Sequence, residues 1–263
     1  MDDRLTALRF AISEIGPMAV AVSGGVDSMT LAHVAHEVLG AEAMMVHARS
    51  PAVPGEATDR IRRHADETGW SLVEINAGEM QDPRYLENPV NRCFFCKSNL
   101  YGRIAGMTDL LIASGTNTDD LGDYRPGLEA AKDYRVRHPY VEIGLAKSDV
   151  RAVARSLSLG SLAELPAAPC LSSRIETGLQ ITSDKLTLVD LVETALRDLL
   201  GTGDIRCRVR AGGITVELEN RLLDSVDAEV RRLVGEIVIA HGYVEPVVFE
   251  PYRKGSAFLR GRS

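Results

Sequence analysis

The sequence lacks the features that would place the chain in a membrane or among secreted, disulfide-rich proteins. No apolar run in its 263 residues is long enough to cross a bilayer, and its first residues are acidic where a signal peptide is basic. The four cysteines, Cys93, Cys96, Cys170 and Cys207, are too few and too unevenly spaced for a disulfide framework. We therefore expect a cytoplasmic protein.

Aromatic residues and positive charge are also scarce. Phe, Trp and Tyr make up 5% of the chain, and the formal net charge is −7. An acidic chain is a poor general binder of nucleic acid, although a local basic groove can still hold phosphates. No low-complexity tract is evident, and the hydrophobic content of 45% is that of a globular protein. We expect a chain that folds throughout, in two unequal domains, and acts on small molecules.

The first part of the chain alternates short apolar runs with helical patterns, which is typical of a parallel sheet covered by helices. The predicted strands are Met18–Ser23, Ala43–Ala48, Leu72–Ile75 and Leu110–Ser114, and the predicted helices are Asp27–Leu39, Glu56–Thr68 and Lys147–Leu159. In open sheets of this kind, ligands bind at the carboxyl ends of the strands. The sequence predicts an α/β domain over residues 1–180, with helices on both faces of the sheet.

A different pattern begins near residue 181 and predicts a smaller α+β domain over residues 181–263. Its predicted elements are a helix at Ser183–Leu200, antiparallel strands at Ile205–Arg210 and Ile214–Glu219, a helix at Leu222–Val234 and a strand at Val244–Phe249. Side chains alternate between the two faces of a strand. Cys207 is therefore predicted to lie in the core, on the face opposite Arg206, Arg208 and Arg210.

The segment Ser23-Gly24-Gly25-Val26-Asp27-Ser28 closes the first predicted strand and opens the first predicted helix. Glycine permits a tight turn in which backbone amides converge on an anion, and the helix adds its positive end. The serines add hydroxyl donors, and Asp27 can hold Mg²⁺ that bridges phosphate oxygens. The segment lacks the Gly-Lys-Ser/Thr of a Walker A loop and the spacing of a dinucleotide fingerprint. It predicts a loop that holds the phosphates of ATP; a mere tight turn is the alternative.

This loop resembles that of the PP-loop ATP pyrophosphatases, and the resemblance implies an adenine-nucleotide α-hydrolase-like fold. It also implies a reaction in which ATP is cleaved between the α and β phosphates and AMP passes to a substrate oxygen, before a nucleophile displaces the AMP. On this basis we expect further residues to line the nucleotide site. They are Ser50, Gly115, Thr116, Asn117, Asp119, Arg125 and Lys147, with Asp123 placed to orient Arg125 or to help hold magnesium. Simple solvation is the alternative for the charged residues among them.

Three further segments indicate which family of PP-loop enzymes the chain resembles. A Cys-x-x-Cys pair lies in Asn91–Lys97, the segment Gly115–Gly127 follows, and a third cysteine lies in Pro169–Arg174. Together with the Cys-Arg-Val-Arg strand, they resemble the LarE family over nearly the whole chain. LarE enzymes are ATP-dependent sulfur transferases of nickel-pincer cofactor biosynthesis. The resemblance implies that a carboxylate of pyridinium-3,5-biscarboxylic acid mononucleotide is adenylated and converted to a thiocarboxylate.

The same resemblance places Cys170 at the sulfur-donor position and leaves two sulfur sources open. In one branch of the family this cysteine gives up its own sulfur and becomes dehydroalanine. In another branch three cysteines hold a 4Fe-4S cluster, and here Cys93, Cys96 and Cys170 are all present. Three thiolate ligands leave one iron open to exogenous sulfide, so the cluster is the predicted carrier. A redox pair or half of a zinc site is the alternative for Cys93 and Cys96.

Basic residues complete the predicted site. Arg208 and Arg210 match family arginines near the sulfur-donating cysteine, and with Arg174 they are expected to bind the substrate phosphate through charge-assisted hydrogen bonds. A solvated arginine face is the alternative. The family also implies a homo-oligomer, whereas the sequence does not identify the sulfide donor.

Three rival functions share the phosphate loop. A tRNA-thiolating enzyme can carry a three-cysteine cluster, but its partner calls for a basic surface that an acidic chain does not favour. An amidotransferase-type synthetase needs a source of ammonia, for which no glutaminase domain is evident. The non-enzymatic rival is an ATP-sensing module.

Overall fold

The computed structural model describes residues 3–122, 126–166, 169–244 and 246–253. Two residues singled out above, Arg125 and Asp123, lie outside these ranges. The helices are α1 (Asp3–Ile15), α2 (Val26–Leu39), α3 (Gly55–Thr68), α4 (Pro83–Leu86), α5 (Arg92–Ala105), α6 (Pro126–Asp133), α7 (Pro139–Glu142), α8 (Lys147–Ser156), α9 (Ser183–Leu200), α10 (Asn220–Leu223) and α11 (Ala228–Ala240). The strands are β1 (Met18–Ala21), β2 (Ala43–Ala48), β3 (Ser71–Ile75), β4 (Leu111–Ser114), β5 (Ile205–Arg210), β6 (Gly213–Leu218) and β7 (Val248–Pro251).

The chain divides into two compact units. The first contains Met1–Asp82 and Asn91–Ala167, and the second contains Pro83–Val90 and Ala168–Ser263. This division differs from the boundary near residue 180 that the sequence suggested, because 168–180 groups with the second unit.

Hydrogen bonds from both side chain and backbone explain why Pro83–Val90 also belongs to the second unit. The Asn88 side chain, which is fully buried, donates to the carbonyl oxygens of Glu176 and Leu179 at 2.9 and 3.0 Å. The amide of Ile181 donates to the carbonyl of Leu86 at 2.8 Å. The short segment Pro83–Val90 is thereby held by residues about 90 positions later in the chain.

The sheet of the first unit confirms the predicted α/β class. Its strand order is β3-β2-β1-β4, and every neighbouring pair is parallel. Side chains of β1 alternate between two buried clusters, with Met18 and Val20 in one and Ala19 and Ala21 in the other. A strand that is apolar on both faces is what a sheet covered by helices requires.

Helix α1 is an element that the sequence analysis did not predict. It buries Leu5, Leu8 and Ile12, whose spacing of three and four residues places them on one helical face. These side chains join the cluster that also contains Met18 and Val20. The unpredicted helix therefore closes one face of the sheet.

The second unit contains a three-stranded sheet in the order β5-β6-β7. The predicted antiparallel pairing of β5 with β6 is confirmed, and β7 runs parallel to β6. The predicted helix at Leu222–Val234 is wrong, because the carboxylate of Asp227 accepts from the Val230 amide at 2.9 Å and starts α11 at Ala228. The last strand also begins later than predicted, at Val248.

None of the helices in the described ranges is both long enough and apolar enough to cross a membrane.

Candidate functional site

The predicted phosphate loop leaves β1 and enters α2 at the carboxyl edge of the sheet. The Ser28 hydroxyl accepts from the Ser23 amide at 3.1 Å and donates to the Gly25 carbonyl at 3.2 Å. Gly25 precedes the first residue of α2 and no side chain caps the helix there. The positive end of α2 is thus open toward the loop, which is the arrangement that a bound phosphate exploits.

Gly24 lets α3 pack directly against this loop. Its φ is +80°, and a Cβ at this position would lie 2.9 Å from both the Cβ and the carbonyl oxygen of Ala57. The Arg60 guanidinium, one helical turn further along α3, donates to the Gly24 carbonyl at 2.8 Å. Helix α3 therefore packs directly on the loop and is hydrogen-bonded to it at Gly24.

Asp27, in the first turn of α2, is the centre of a polar cluster. Its Oδ2 lies 2.6 Å from the Lys147 ammonium, and its Oδ1 accepts from the Asn117 side chain at 3.3 Å. The buried Tyr140 hydroxyl donates to the Asp27 carbonyl at 3.0 Å, and burial, followed by the charge of Asp27, raises the pKa of Tyr140 well above its usual value. Two side chains from distant segments, Lys147 and Asn117, thus contact the Asp27 carboxylate, and Tyr140 contacts its backbone carbonyl.

The loop after β4 reaches this cluster because of Gly115. A Cβ at Gly115 would lie 2.7 Å from the carbonyl carbon of Asp27 and 2.8 Å from the amide nitrogen of Ser28. Such contacts with backbone atoms cannot be relieved by a side-chain rotation. The neighbouring Thr116 hydroxyl lies 3.1 Å from that of Ser114, whose other neighbour is His138 Nδ1 at 2.9 Å.

Asn117 links the β4 loop to the start of α8. Its side-chain oxygen accepts from the backbone amide of Asp119 at 3.1 Å, and its backbone amide donates to the carboxylate of Asp120 at 3.1 Å. The Asp119 carboxylate in turn accepts from the Lys147 amide at 3.2 Å. The structure therefore brings Asp27, Asn117, Asp119 and Lys147 together, as the sequence predicted for residues at one edge of the sheet.

Ser50 stands at the end of the neighbouring strand β2 and is engaged locally. Its hydroxyl accepts from the Ala52 amide at 3.0 Å, and its carbonyl accepts from the Val53 amide at 3.0 Å. In this structure Ser50 shapes the turn that leads into α3.

His47 is a residue that sequence reasoning missed. It is buried in β2, with Nδ1 3.0 Å from the Val22 carbonyl and Nε2 2.9 Å from the Thr58 hydroxyl. A carbonyl only accepts, so Nδ1 carries the proton and Nε2 accepts from Thr58. Burial is the main cause that lowers the pKa of His47. The sequence signal that could have identified His47 is a histidine within an otherwise apolar strand.

The Cys-x-x-Cys pair lies on α5, in the first unit. Cys93 is exposed and Cys96 is partly buried. Their spacing of three residues places the two side chains on one helical face, which suits two ligands of a single metal group. Within the described ranges, no three His, Cys, Asp or Glu side chains come together as a set of metal ligands.

Cys170 belongs to the second unit and is exposed, at the residue that precedes the short helical turn Leu171–Arg174. The Arg174 guanidinium donates to the Pro169 carbonyl at 2.8 Å and to both oxygens of Glu193 at 2.8 and 3.0 Å. Glu193 also accepts from the Cys207 amide at 3.0 Å. A buried ion pair thus anchors the Cys170 loop to the sheet.

A second ion pair lies beside it. Arg208 donates to Glu217 and to the Ser173 carbonyl, each at 3.0 Å, and Arg210 contacts Glu217 at 2.7 Å and Glu250 at 3.1 Å. Arg174 and Arg208 are buried, each against a buried glutamate. The three arginines predicted to bind a substrate phosphate therefore already have carboxylate partners.

The outward face of β5 is not a solvated arginine face. Arg206 is buried, donates to Asp204 at 3.2 Å, and lies over the Tyr252 ring at 5.5 Å from its centre. On the opposite face Cys207 is fully buried, which confirms its predicted core position, and burial raises the pKa of its thiol.

Comparison with known proteins gives relatives across both units, although no family model matches the chain. An uncharacterized protein from Synechocystis sp. is 36% identical over 242 residues, which cover 90% of this chain and 89% of the relative. The pyridinium-3,5-bisthiocarboxylic acid mononucleotide synthase of Lactiplantibacillus plantarum is 29% identical over 213 residues, or 79% of this chain and 76% of the relative. An uncharacterized protein from Methanocaldococcus jannaschii is 25% identical over 207 residues, or 77% and 78%.

Proposed function

This chain belongs to the LarE family, and from that premise we propose that it is a sulfur transferase that uses ATP to convert a carboxylate of pyridinium-3,5-biscarboxylic acid mononucleotide to a thiocarboxylate. The observation that carries the proposal is the cluster of Asp27, Asn117, Asp119 and Lys147 beside an uncapped helix end. The name of the Lactiplantibacillus relative supports the substrate class.

The loop Ser23–Ser28 holds the phosphates of ATP in this proposal. The open amino end of α2 attracts negative charge, and the serine hydroxyls supply further donors. The carboxylate oxygen of the substrate attacks the α-phosphorus of ATP, and the bond from that phosphorus to the bridging oxygen breaks. Pyrophosphate leaves with the electron pair of that bond.

Lys147 is the group best placed to neutralise the leaving pyrophosphate. Its ammonium contacts Asp27 at 2.6 Å while its backbone is fixed by Asp119. A positive charge held in advance at the place where negative charge develops lowers the barrier without further reorganisation. Arg125 is proposed for the same phosphate site from the sequence alone.

The carboxylate oxygens of Asp27 are suitable ligands for Mg²⁺, which prefers oxygen donors. When bound, the ion would offset the charge of the phosphate oxygens. Asp27, with Asp119 nearby, would hold it, and Lys147 would then exchange its contact with Asp27 for one with phosphate.

A sulfur nucleophile then attacks the acyl carbon, and the bond from that carbon to the AMP oxygen breaks, which releases AMP. In our proposal the attacking sulfur is a sulfide, so the thiocarboxylate forms directly and Cys170 stays intact. We place this step beside Cys170, whose side chain is exposed while its loop is anchored by Arg174 and Glu193. Because Arg174 and Arg208 are already paired, they position this loop, and the partly exposed Arg210 is the better candidate for the substrate phosphate.

A 4Fe-4S cluster ligated by Cys93, Cys96 and Cys170 remains our proposal for the sulfur carrier. When bound, such a group would supply an iron that can accept sulfide. Its support is the presence of the three cysteines, none of which is needed in the core.

The sulfur source is tested by anaerobic reconstitution and by mass analysis before and after one turnover. About four irons per chain and an unchanged Cys170 support the cluster. Loss of the mass of one sulfur at Cys170, or full activity with zinc alone, overturns it. Cys207→Ala serves as the control, because its thiol is buried away from solvent.

The function itself is tested by ATP–pyrophosphate exchange. Exchange should require the pyridinium mononucleotide, and Asp27→Asn should lower it by about 100-fold, as expected when a preorganised charged group is removed. Asp66→Asn, an exposed carboxylate in α3, is the matched control and should leave exchange unchanged. Exchange that depends on tRNA would favour a thiolase, and an absence of exchange with bound ATP would favour a sensor.

A further inference from the structure

Arg92, the first residue of α5, is buried, and part of its guanidinium group lacks hydrogen-bond partners. Its exposed fraction is 3%, and neither Nε nor Nη1 has a hydrogen-bond partner. Arginine stays charged at any pH that a protein tolerates. An isolated buried charge is strongly unfavourable, so folded proteins pair such groups or supply a ligand.

The other buried arginines of the described chain show the usual solution. Arg174 is paired with Glu193, Arg208 with Glu217, and Arg206 with Asp204. Arg92 differs from them because two of its guanidinium nitrogens, Nε and Nη1, have no hydrogen-bond partner in the described structure.

The end of α5 on which Arg92 stands is itself electropositive. The side chain of Asn91, at the capping position, makes no capping hydrogen bond, and the first turn contains no acidic residue. A helix of 14 residues presents about half a positive charge at this end. A buried guanidinium and an uncapped helix end thus favour the same kind of ligand.

The topology places this end at the ligand-binding edge of the sheet. Helix α5 ends at Ala105, shortly before the parallel strand β4 begins at Leu111. Its last turn is therefore at the amino edge of the strands, and its first turn lies toward the carboxyl edge, where the loop Ser23–Ser28 is found.

We infer that Arg92 and the amino end of α5 bind an oxyanion, the carboxylate or phosphate group of a small molecule. The inference rests on the proposed function only for the identity of that molecule, whose pyridinium ring carries carboxylates and whose ribose carries a phosphate. It assigns a binding role to a residue beside Cys93 whose Nε and Nη1 have no hydrogen-bond partner in the described structure.

The test uses the full chain and two probes, inorganic phosphate and pyridine-3,5-dicarboxylate, with affinity and stoichiometry measured by calorimetry in the absence of ATP. Wild type should bind at least one probe, and Arg92→Met should bind it about ten- to hundredfold more weakly, as expected for the loss of a charged hydrogen-bond donor. The probe whose affinity falls shows whether the site binds a carboxylate or a phosphate group.

Arg103→Met is the matched control, because Arg103 is an exposed arginine at the other end of α5. It should bind both probes as wild type does. If Arg92→Met does not fold, Arg92→Lys keeps the charge, loses the planar donor set and should still bind the probe more weakly. Rescue of binding by Lys to the wild-type value would contradict a role for the guanidinium.

Unchanged affinity in Arg92→Met, or failure of wild type to bind either probe, overturns the inference. Phosphate can also bind to the loop Ser23–Ser28. The number of phosphate ions bound per chain is therefore compared, and the relevant site is the one that is lost in Arg92→Met. If anion binding depends on Arg92 but ATP–pyrophosphate exchange fails, the proposed function falls and the inference stands. If exchange proceeds and Arg92→Met binds the probes as wild type does, the proposed function stands and the inference about Arg92 falls.

Discussion

Replacement of Glu193 by Gln tests how the Cys170 loop is held. Glu193 is 1% exposed, accepts two hydrogen bonds from Arg174 and one from the Cys207 amide, and lies on the buried face of α9. Gln keeps the shape and one acceptor but removes the negative charge, which leaves the buried Arg174 without a counter-ion. Removing one partner of a buried pair costs about 3–5 kcal/mol, and the retained acceptor favours the lower value.

A loss of about 3 kcal/mol corresponds to a fall in melting temperature of roughly 6–12 °C for a chain of this size. Thermal unfolding followed by circular dichroism measures it. Asp198→Asn, an exposed carboxylate on the same helix, is the control and should shift the midpoint by less than about 2 °C.

The combined variant Arg174→Met with Glu193→Leu separates charge from packing. With no ion left to desolvate, it should unfold at a higher temperature than Glu193→Gln does. If Glu193→Gln behaves like Asp198→Asn, the buried pair does not hold the loop, and our account of Arg174 as a positioning residue is refuted.

The remaining predictions concern the first unit. Gly24→Ala should weaken ATP binding at least tenfold in a calorimetric titration, because its Cβ would meet Ala57 and its φ is +80°; binding within twofold of wild type would show that α3 does not shape the loop. Lys147→Met should lower the maximal exchange rate by about 10²-fold with less effect on the ATP concentration at half-maximal rate; an equal change in both quantities would point to simple loss of binding. Below pH 6.5 the melting temperature should fall, since histidines that burial keeps neutral in the folded chain take up protons when it unfolds. The histidines concerned are His33, His47, His64 and His138. A flat profile from pH 7.5 to 5.5 would contradict this reasoning, and His47→Gln should reduce the slope.

Local signals in the sequence were enough for several elements. The helix at Ser183–Leu200 and the strands at Ala43–Ala48 and Ile205–Arg210 have the bounds that were predicted. Their apolar periodicity and end residues lie within the element itself, so no distant residue is needed to recognise them. The same holds for the loop Ser23–Ser28, whose glycines and strand-to-helix setting are contiguous.

Chain order alone also placed several site residues at one edge of the sheet, since parallel strands present their carboxyl ends together. It did not reveal which groups would touch. Lys147 contacts Asp27 across 120 positions, and the side chain of Asn117 reaches the same carboxylate across 90. Contacts at such separations have no local signature in a single sequence.

The sequence by itself therefore determined the α/β class, the glycine-containing turn from β1 into α2 and the buried position of Cys207, because each depends on neighbouring residues. Tertiary structure decided that Arg174 and Arg208 are paired with glutamates and that His47 links Val22, just after β1, to Thr58 of α3. It also decided that Nε and Nη1 of Arg92 are buried without a hydrogen-bond partner. An arginine looks the same in a sequence whether it is solvated, paired or alone. Its role depends on burial and on the charge of residues that only the fold brings to it.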